Sequence, residues 1–450
     1  MTYKKASKST LGCFLLVLTG LAFLDGCGSG SSSASVNNTN PAPNNTAAIT
    51  VGFGALGPSG GYVNGAWTSV TICVPKSTTN CQTIDNILVD TGSYGLRVLN
   101  SALTSVPESS LGAITDSSGN QLQECVQYGD SSYTWGPLMV ADVGIGGEKA
   151  SSIPIQVIGG SSAGVPAQCL AIPVSPNLPN GGNEDTLDAL GANGILGIGG
   201  YAWDCGTYCS SNIPTTAGYP YYVCPAGQSC SAVNVQTTAQ VTNPVAAFSS
   251  SDNNGVLVTL PSVPAVGAAN GTITGSLTFG IGTQSDNAFA SGATVYGLDQ
   301  YGNIPQITYK GVQYTSPTNT NILDTGSNAF SFLDAITLAS VGIVDCANAT
   351  GFYCPASTVP FTVTFSGASG TSGTITFSIT NADTLFASGN AAFNDLGGAG
   401  GTGPSNDSLD FGLPFFFGKS VYVGMMPGMF TGESAAPSAA TIATYGYYAF

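Results

Sequence analysis

Residues 86–99 read NILVDTGSYGLRVL, and residues 321–333 read NILDTGSNAFSFL. Asp-Thr-Gly-Ser thus occurs twice, each time close behind Asn-Ile-Leu, with Asp90 and Asp324 at its heads. A short aliphatic run reads as a buried strand, and the tetrapeptide that follows reads as a tight turn. Gly92 and Gly326 permit a close backbone approach that a Cβ would block. The hydroxyls of Thr91 and Thr325 can reach the backbone of an opposing loop, while those of Ser93 and Ser327 can hold the outer oxygen of each carboxylate. The spacing, 324 − 90 = 234 residues, is about one lobe and predicts an internal duplication. On a pseudo-twofold axis the two aspartates would meet across a cleft and share a water. Two such carboxyls cannot readily both ionise, so one proton is held between them. One can then take a proton from the attacking water while the other polarises a peptide carbonyl.

Outward from these loops the text stays strand-like. WTSVTICV, QTIDNILVDTG, QECVQYGDSSYTWGPLMVADVGIGG and IPIQVIG make up a first series. NGVLVTLPSV, GSLTFGIG, GATVYGLD, QITYKGVQY and NTNILDTGS make up a second. LDAITLASVGIV, residues 333–344, is one of few helical stretches. The reading is a mostly β chain of two lobes, 48–255 and 256–450, each carrying one motif.

Composition narrows the chemistry. The 450 residues are 43% apolar and only 7% charged, with a net charge of −16. No basic stripe could neutralise phosphates, so a nucleic-acid partner is excluded. The chain contains no histidine, which rules out Ser-His-Asp and Cys-His catalysis and His-bearing zinc sites. Acid–base work therefore falls to the carboxylates. No cofactor or metal is expected.

The N-terminus reads as an export signal: Lys4, Lys5 and Lys8 precede an apolar stretch from Leu11 to Leu24. LDGC places Cys27 where bacterial lipoprotein signals carry the lipidated cysteine, so 1–27 is the signal and 28–47 a flexible tether. A lipid-anchored cell-envelope protein sorted to the outer membrane is expected, with a secreted protein as the alternative. Twelve cysteines less Cys13 and Cys27 leave ten, an even number suited to disulfides in an exported chain. Cys73 with Cys81, Cys346 with Cys354, and Cys125 with Cys169 are candidate pairs. For Cys205, Cys209, Cys224 and Cys230 the pairing stays open, a four-cysteine zinc site being the alternative to bridges.

Taken together, the motifs resemble the pepsin-like aspartic proteases over most of the mature chain. Asp90 to Ser93 and Asp324 to Ser327 match that family's two catalytic motifs. QYGDSSYTWG is similar to its flap hairpin, which makes Tyr128 the flap tyrosine. NGILGIGG, through Ile195, Leu196 and Gly197, is similar to the segment that threads beside the first catalytic loop, and LDFGLPFFFGKSVYVG, with Gly412, fills the equivalent place in the second half. The chain is also similar to a bacterial family of exported proteins known only as a domain of unknown function. The resemblance implies a two-lobed pepsin-like fold, mostly β, with pseudo-twofold-related β-barrel-like lobes and few helices. It implies a monomeric aspartic endopeptidase acting on peptides or proteins. The alternative is an inactive pepsin-like lipoprotein whose cleft captures a peptide without cutting it. Departures from the pattern are Arg97 where the family has Trp, Tyr94 and Gly95, and Asp410 inside the second apolar segment. Arg97 is read either as a structural ion-pair residue or as a contact to substrate or flap.

Overall fold

The computed structural model describes residues 45–60, 62–161, 163–169, 182–211, 219–401, 407–428 and 444–450. The signal 1–27 with Cys27, and all but the last three residues of the tether 28–47, lie outside them. The tether reading runs slightly long: a strand already starts at Thr46, inside it, and extends to Gly52. Ala47, Ile49 and Val51 alternate into the core, and this period-two pattern fixes the strand.

The first half closes into a barrel. Strand Tyr133–Ile145 pairs with Glu148–Ile158, which pairs with Tyr94–Leu99, then Gly194–Ile198, Cys81–Asp90 and Gly65–Cys73. Thr71 to Cys73 then pair back onto Gly144 to Asp142 and complete the ring. Closure removes free strand edges and encloses a core of Val, Ile and Leu side chains. Thr46–Gly52 joins Gly65–Cys73 on one side to Ile273–Phe279 of the second half on the other. The halves therefore share a sheet, which continues through Gly255–Leu260, Lys419–Gly424 and Tyr447–Ala449. The boundary read between residues 255 and 256 falls at the first residue of one of its strands.

The duplication is visible in the strand order around each motif. In the first half Cys81–Asp90 runs parallel to Gly194–Ile198, which is antiparallel to Tyr94–Leu99. In the second, Asn321–Leu323 runs parallel to Leu409–Phe411, which is antiparallel to Phe330–Phe332. Registers correspond residue for residue: Leu88 pairs with Ile195 as Ile322 pairs with Asp410. Phe330, Phe332, Phe361, Phe377 and Phe411 pack edge-to-face or stacked beneath the second motif.

Helices are few and short, the longest α-helix among the described residues being Ala382–Ala387. The helix expected over 333–344 forms only across Ala335–Leu338, capped by Asp334, and passes into a 3-10 turn that ends at Gly342 with φ 82°. Among the described residues, five disulfides join Cys73–Cys81, Cys125–Cys169, Cys205–Cys209, Cys224–Cys230 and Cys346–Cys354. The three pairs proposed from sequence form. The open question of the other four cysteines resolves as two bridges, so no thiolate is left for the four-cysteine zinc site.

Candidate active site

The two Asp-Thr-Gly-Ser loops meet at the junction of the halves and lock together through their threonines. Thr91 Oγ1 donates to the carbonyl of Leu323 (2.9 Å) and accepts from the Thr325 amide (3.0 Å). Thr325 Oγ1 donates to the carbonyl of Val89 (2.7 Å) and accepts from the Thr91 amide (3.1 Å). All four partners are buried, so each bond satisfies a backbone group that would otherwise be orphaned.

This lock brings the carboxyls of Asp90 and Asp324 within hydrogen-bonding reach of each other, both fully buried. The glycines are required by that proximity. A Cβ on Gly92 would lie 2.5 Å from Cγ of Asp324, and one on Gly326 would lie 2.7 Å from Cγ of Asp90. Each glycine thus leaves room for the opposite carboxyl. The Gly92 amide donates to Asp90 Oδ1 (2.8 Å) and the Gly326 amide to Asp324 Oδ1 (2.7 Å). Ser93 Oγ donates to Asp90 Oδ2, and Ser327 Oγ lies 2.8 Å from Asp324 Oδ2.

Electrostatically the pair is unequal. Burial, and then the charge of Asp324, hold the Asp90 carboxyl well above the usual carboxylate range. Burial raises Asp324 too, but hydrogen bonds from Asp90, Ser327 and the amides of Gly326 and Gly92 oppose it. Both carboxyls are raised, so one proton is held between them, and Asp324, with more donors aimed at it, is the better placed of the two to ionise.

Tyr128 sits at the turn of the hairpin formed by Leu122–Gln127 and Tyr133–Ile145, where the flap was expected. Its side chain is fully buried against Tyr62, Trp67 and Ile195, and its hydroxyl pairs with Thr134 Oγ1 at 3.3 Å. Arg97 is fully buried as well. It donates to Glu124 Oε1 (2.7 Å), to Asp204 Oδ2 (3.3 Å) and to the Tyr94 carbonyl (2.7 Å). Burial works against its charge, but Glu124, foremost among its neighbours, outweighs that and keeps the guanidinium protonated. Because Glu124 lies on the first strand of the Tyr128 hairpin, the buried Arg97 is tied to the base of that hairpin. Asp410, also buried, receives a hydrogen bond at Oδ2 from Ser327 Oγ.

Several further side chains complete the site, and of these sequence reading singled out only Tyr94, as a departure from the family pattern. Tyr62 Oη donates to the Gly326 carbonyl (3.3 Å) and packs on Trp67. Asn64 crosses between the halves, its Nδ2 donating to the carbonyls of Asn328 and Phe393 (both 2.9 Å). Tyr94, Tyr201 and Tyr448 gather behind the dyad. Tyr94 lies edge-on to Tyr201, and the Tyr448 phenol sits where the charges of Asp324 and Asp410 raise it beyond the effect of burial. An aromatic directly after the first motif, and another two residues from the C-terminus, were the available signals. The only grouping of three potential metal ligands among the described residues is Cys346, Cys354 and Asp383, and its two sulfurs are spent on a disulfide.

The family described as "Protein of unknown function (DUF3443)" matches residues 41–442. The chain belongs to that family. None of the curated proteins matches it. Among solved structures, the aspartic proteinase from Irpex lacteus is similar to this DUF3443 chain, with a TM-score of 0.47 at 15% identity. That similarity covers 90% of this chain and 97% of the fungal one.

Proposed function

We propose that this DUF3443 protein is an aspartic endopeptidase of the bacterial cell envelope, anchored through a lipid on Cys27. The observation that carries the reading is the reciprocal one at the dyad. Two buried carboxyls occupy the space left by each other's glycine, with one proton favoured on Asp90. In the proposed cycle Asp324 takes a proton from the attacking water. Asp90 gives its proton to the carbonyl oxygen, stabilising the developing oxyanion. When the resulting diol collapses, the proton held on Asp324 passes to the departing amide nitrogen, a diol hydroxyl returns a proton to Asp90 as the carboxyl product forms, and the pair is back in its starting state.

The rival is capture without cleavage. Arg97, read from sequence as a structural ion-pair residue or as a contact to substrate or flap, is buried in an ion pair with Glu124, which supports the structural reading. The test is binding of a statine-type transition-state mimic, whose hydroxyl replaces the attacking water. Tight binding that weakens as pH rises, and that is lost in both Asp90→Asn and Asp324→Asn, is the expected result. Peptide binding indifferent to both substitutions would favour the capturing protein.

A further inference from the structure

Ser327 Oγ lies between two buried carboxyls: Asp324 Oδ2 at 2.8 Å and Asp410 Oδ2 on its other side. A hydroxyl carries one hydrogen and so can donate to only one of them. If both carboxyls were ionised, the second contact would press lone pair against lone pair in a dry site. The contacts are satisfied together only when one of the carboxyls carries a proton. Asp324 already accepts from Gly326 and Gly92 and is the partner that ionises first in the dyad.

We propose that Asp410 is a positioning residue for the dyad, its carboxyl carrying a proton that it donates to Ser327 Oγ so that the single Ser327 hydrogen points at Asp324 Oδ2. The proposal rests on the reading of Asp90 and Asp324 as the catalytic pair, and it gives that pair a third carboxyl. A hydroxyl that accepts a hydrogen bond donates more strongly, so the relay makes Asp324 easier to ionise. The two halves differ at this point. The position equivalent to Asp410 is Ile195, so Ser93 has no carboxyl behind it, and Asp90 is the partner that keeps the proton. The titratable groups facing Asp410 are Asp324, at the end of the neighbouring strand Asn321–Leu323, and Tyr448 from Tyr447–Ala449. Asp90 lies one carboxyl further on. The antiparallel neighbour Phe330–Phe332 contributes the buried Ser331 opposite Asp410.

Raising the pH removes the Asp410 proton. The ionised carboxylate then competes for the Ser327 hydrogen and places a negative charge behind Asp324. Both effects make Asp324 hold a proton more tightly, so peptide turnover falls. Asp410 therefore contributes to the alkaline limb of the activity profile, and its relay lowers the acid limb.

Two readouts on the full chain test this. Near pH 7, where ordinary carboxyls are ionised, Asp90, Asp204 and Asp407 also contribute protonated-carboxyl bands, so the infrared difference between the parent and Asp410→Asn should isolate one further band that belongs to Asp410. That band should vanish in Asp410→Asn and shift in Ser327→Ala. If no band is lost in Asp410→Asn, the proposal is overturned. For peptide cleavage, Asp410→Ile, which installs the first-half residue, should move the acid limb of kcat upward by about half a pH unit or more. Asp410→Asn, whose amide still donates but cannot ionise, should restore the acid limb and raise the alkaline one. Profiles for both variants that superimpose on the parent would reduce Asp410 to packing. A folded parent that shows the band yet cleaves nothing would keep the relay and retire the peptidase reading. Cleavage without the band would do the reverse.

Discussion

At the scale of single residues the account turns on how little room surrounds the two carboxyls. Gly92→Ala would place a methyl 2.5 Å from Cγ of Asp324, closer than any real contact, and the Asp324 carboxyl cannot yield without breaking its own hydrogen bonds. A displacement of this size at reacting atoms costs roughly a hundredfold in rate. Gly92→Ala is therefore expected to fold, to retain its circular-dichroism spectrum and to lose turnover by about that factor. These residues were legible from the sequence because a strand ending in Asp-Thr-Gly-Ser, written twice, carries its geometry in local chemistry. Asp410 was visible as a misfit in an apolar segment, but its partner was not. The Ser327 contact spans 83 residues and arises from pairing between two strands that no local pattern specifies.

Elements position these residues, and here the buried ions matter most. Arg97, on the strand Tyr94–Leu99 that follows the first Asp-Thr-Gly-Ser loop, ties Glu124, at the base of the Tyr128 hairpin, to Asp204, beside the Cys205–Cys209 bridge. Burial, and then the charge of Glu124, hold the Asp204 carboxyl well above its usual range, and Tyr221 donates to it. Removing the cation leaves these carboxyls unsatisfied in a dry interior, so Arg97→Leu should cost about 3–5 kcal/mol in chemical unfolding. Glu124→Gln added to it should recover part of that loss. Full retention of stability in Arg97→Leu would contradict the ion network.

The disulfides separate by reach. Cys125–Cys169 spans 44 residues, whereas the other four span 4 to 8. Chain-entropy arguments assign about 4 kcal/mol to a loop of that length and about 2 to the short ones. Replacing both Cys125 and Cys169 with Ala should lower the unfolding midpoint more than removing any other pair. Sequence spacing identified this bridge and the two hairpin staples. The hairpin Val359–Ser366 with Ser372–Ile379 was missed, although PFTVTF alternates cleanly and GASG makes the turn.

For the whole molecule, scarcity of charge and burial of carboxyls point the same way. Asp407 is pushed up to about 7 by burial and then by the neighbouring charge of Asp334. Its folded-state pKa is raised above the unfolded value of about 4, so the folded state holds the proton more tightly. The stability it contributes is complete below about pH 4 and is lost as pH rises towards 7. Melting temperature should fall across that window, and Asp407→Asn should flatten the fall. An unchanged slope in that variant would place the effect in other groups. Both dyad carboxyls, Asp90 and Asp324, are raised as well, so the same direction governs the site. The two-lobed outline was predictable from the repeated motif. The shared sheet that joins the lobes was not, because the pairing of Thr46–Gly52 with Ile273–Phe279 links segments more than 200 residues apart.

The most direct measurement of the central claim is peptide-library cleavage by the full chain between about pH 3 and 8, beside Asp90→Asn and Asp324→Asn. The account predicts a bell-shaped profile for the parent. Its acid limb lies above the ordinary carboxylate value of about 4, because Asp324 is raised, and its alkaline limb follows loss of the proton on Asp90. Neither folded variant should cleave. Cleavage that persists in either variant, or a folded parent silent across the whole range, would contradict it.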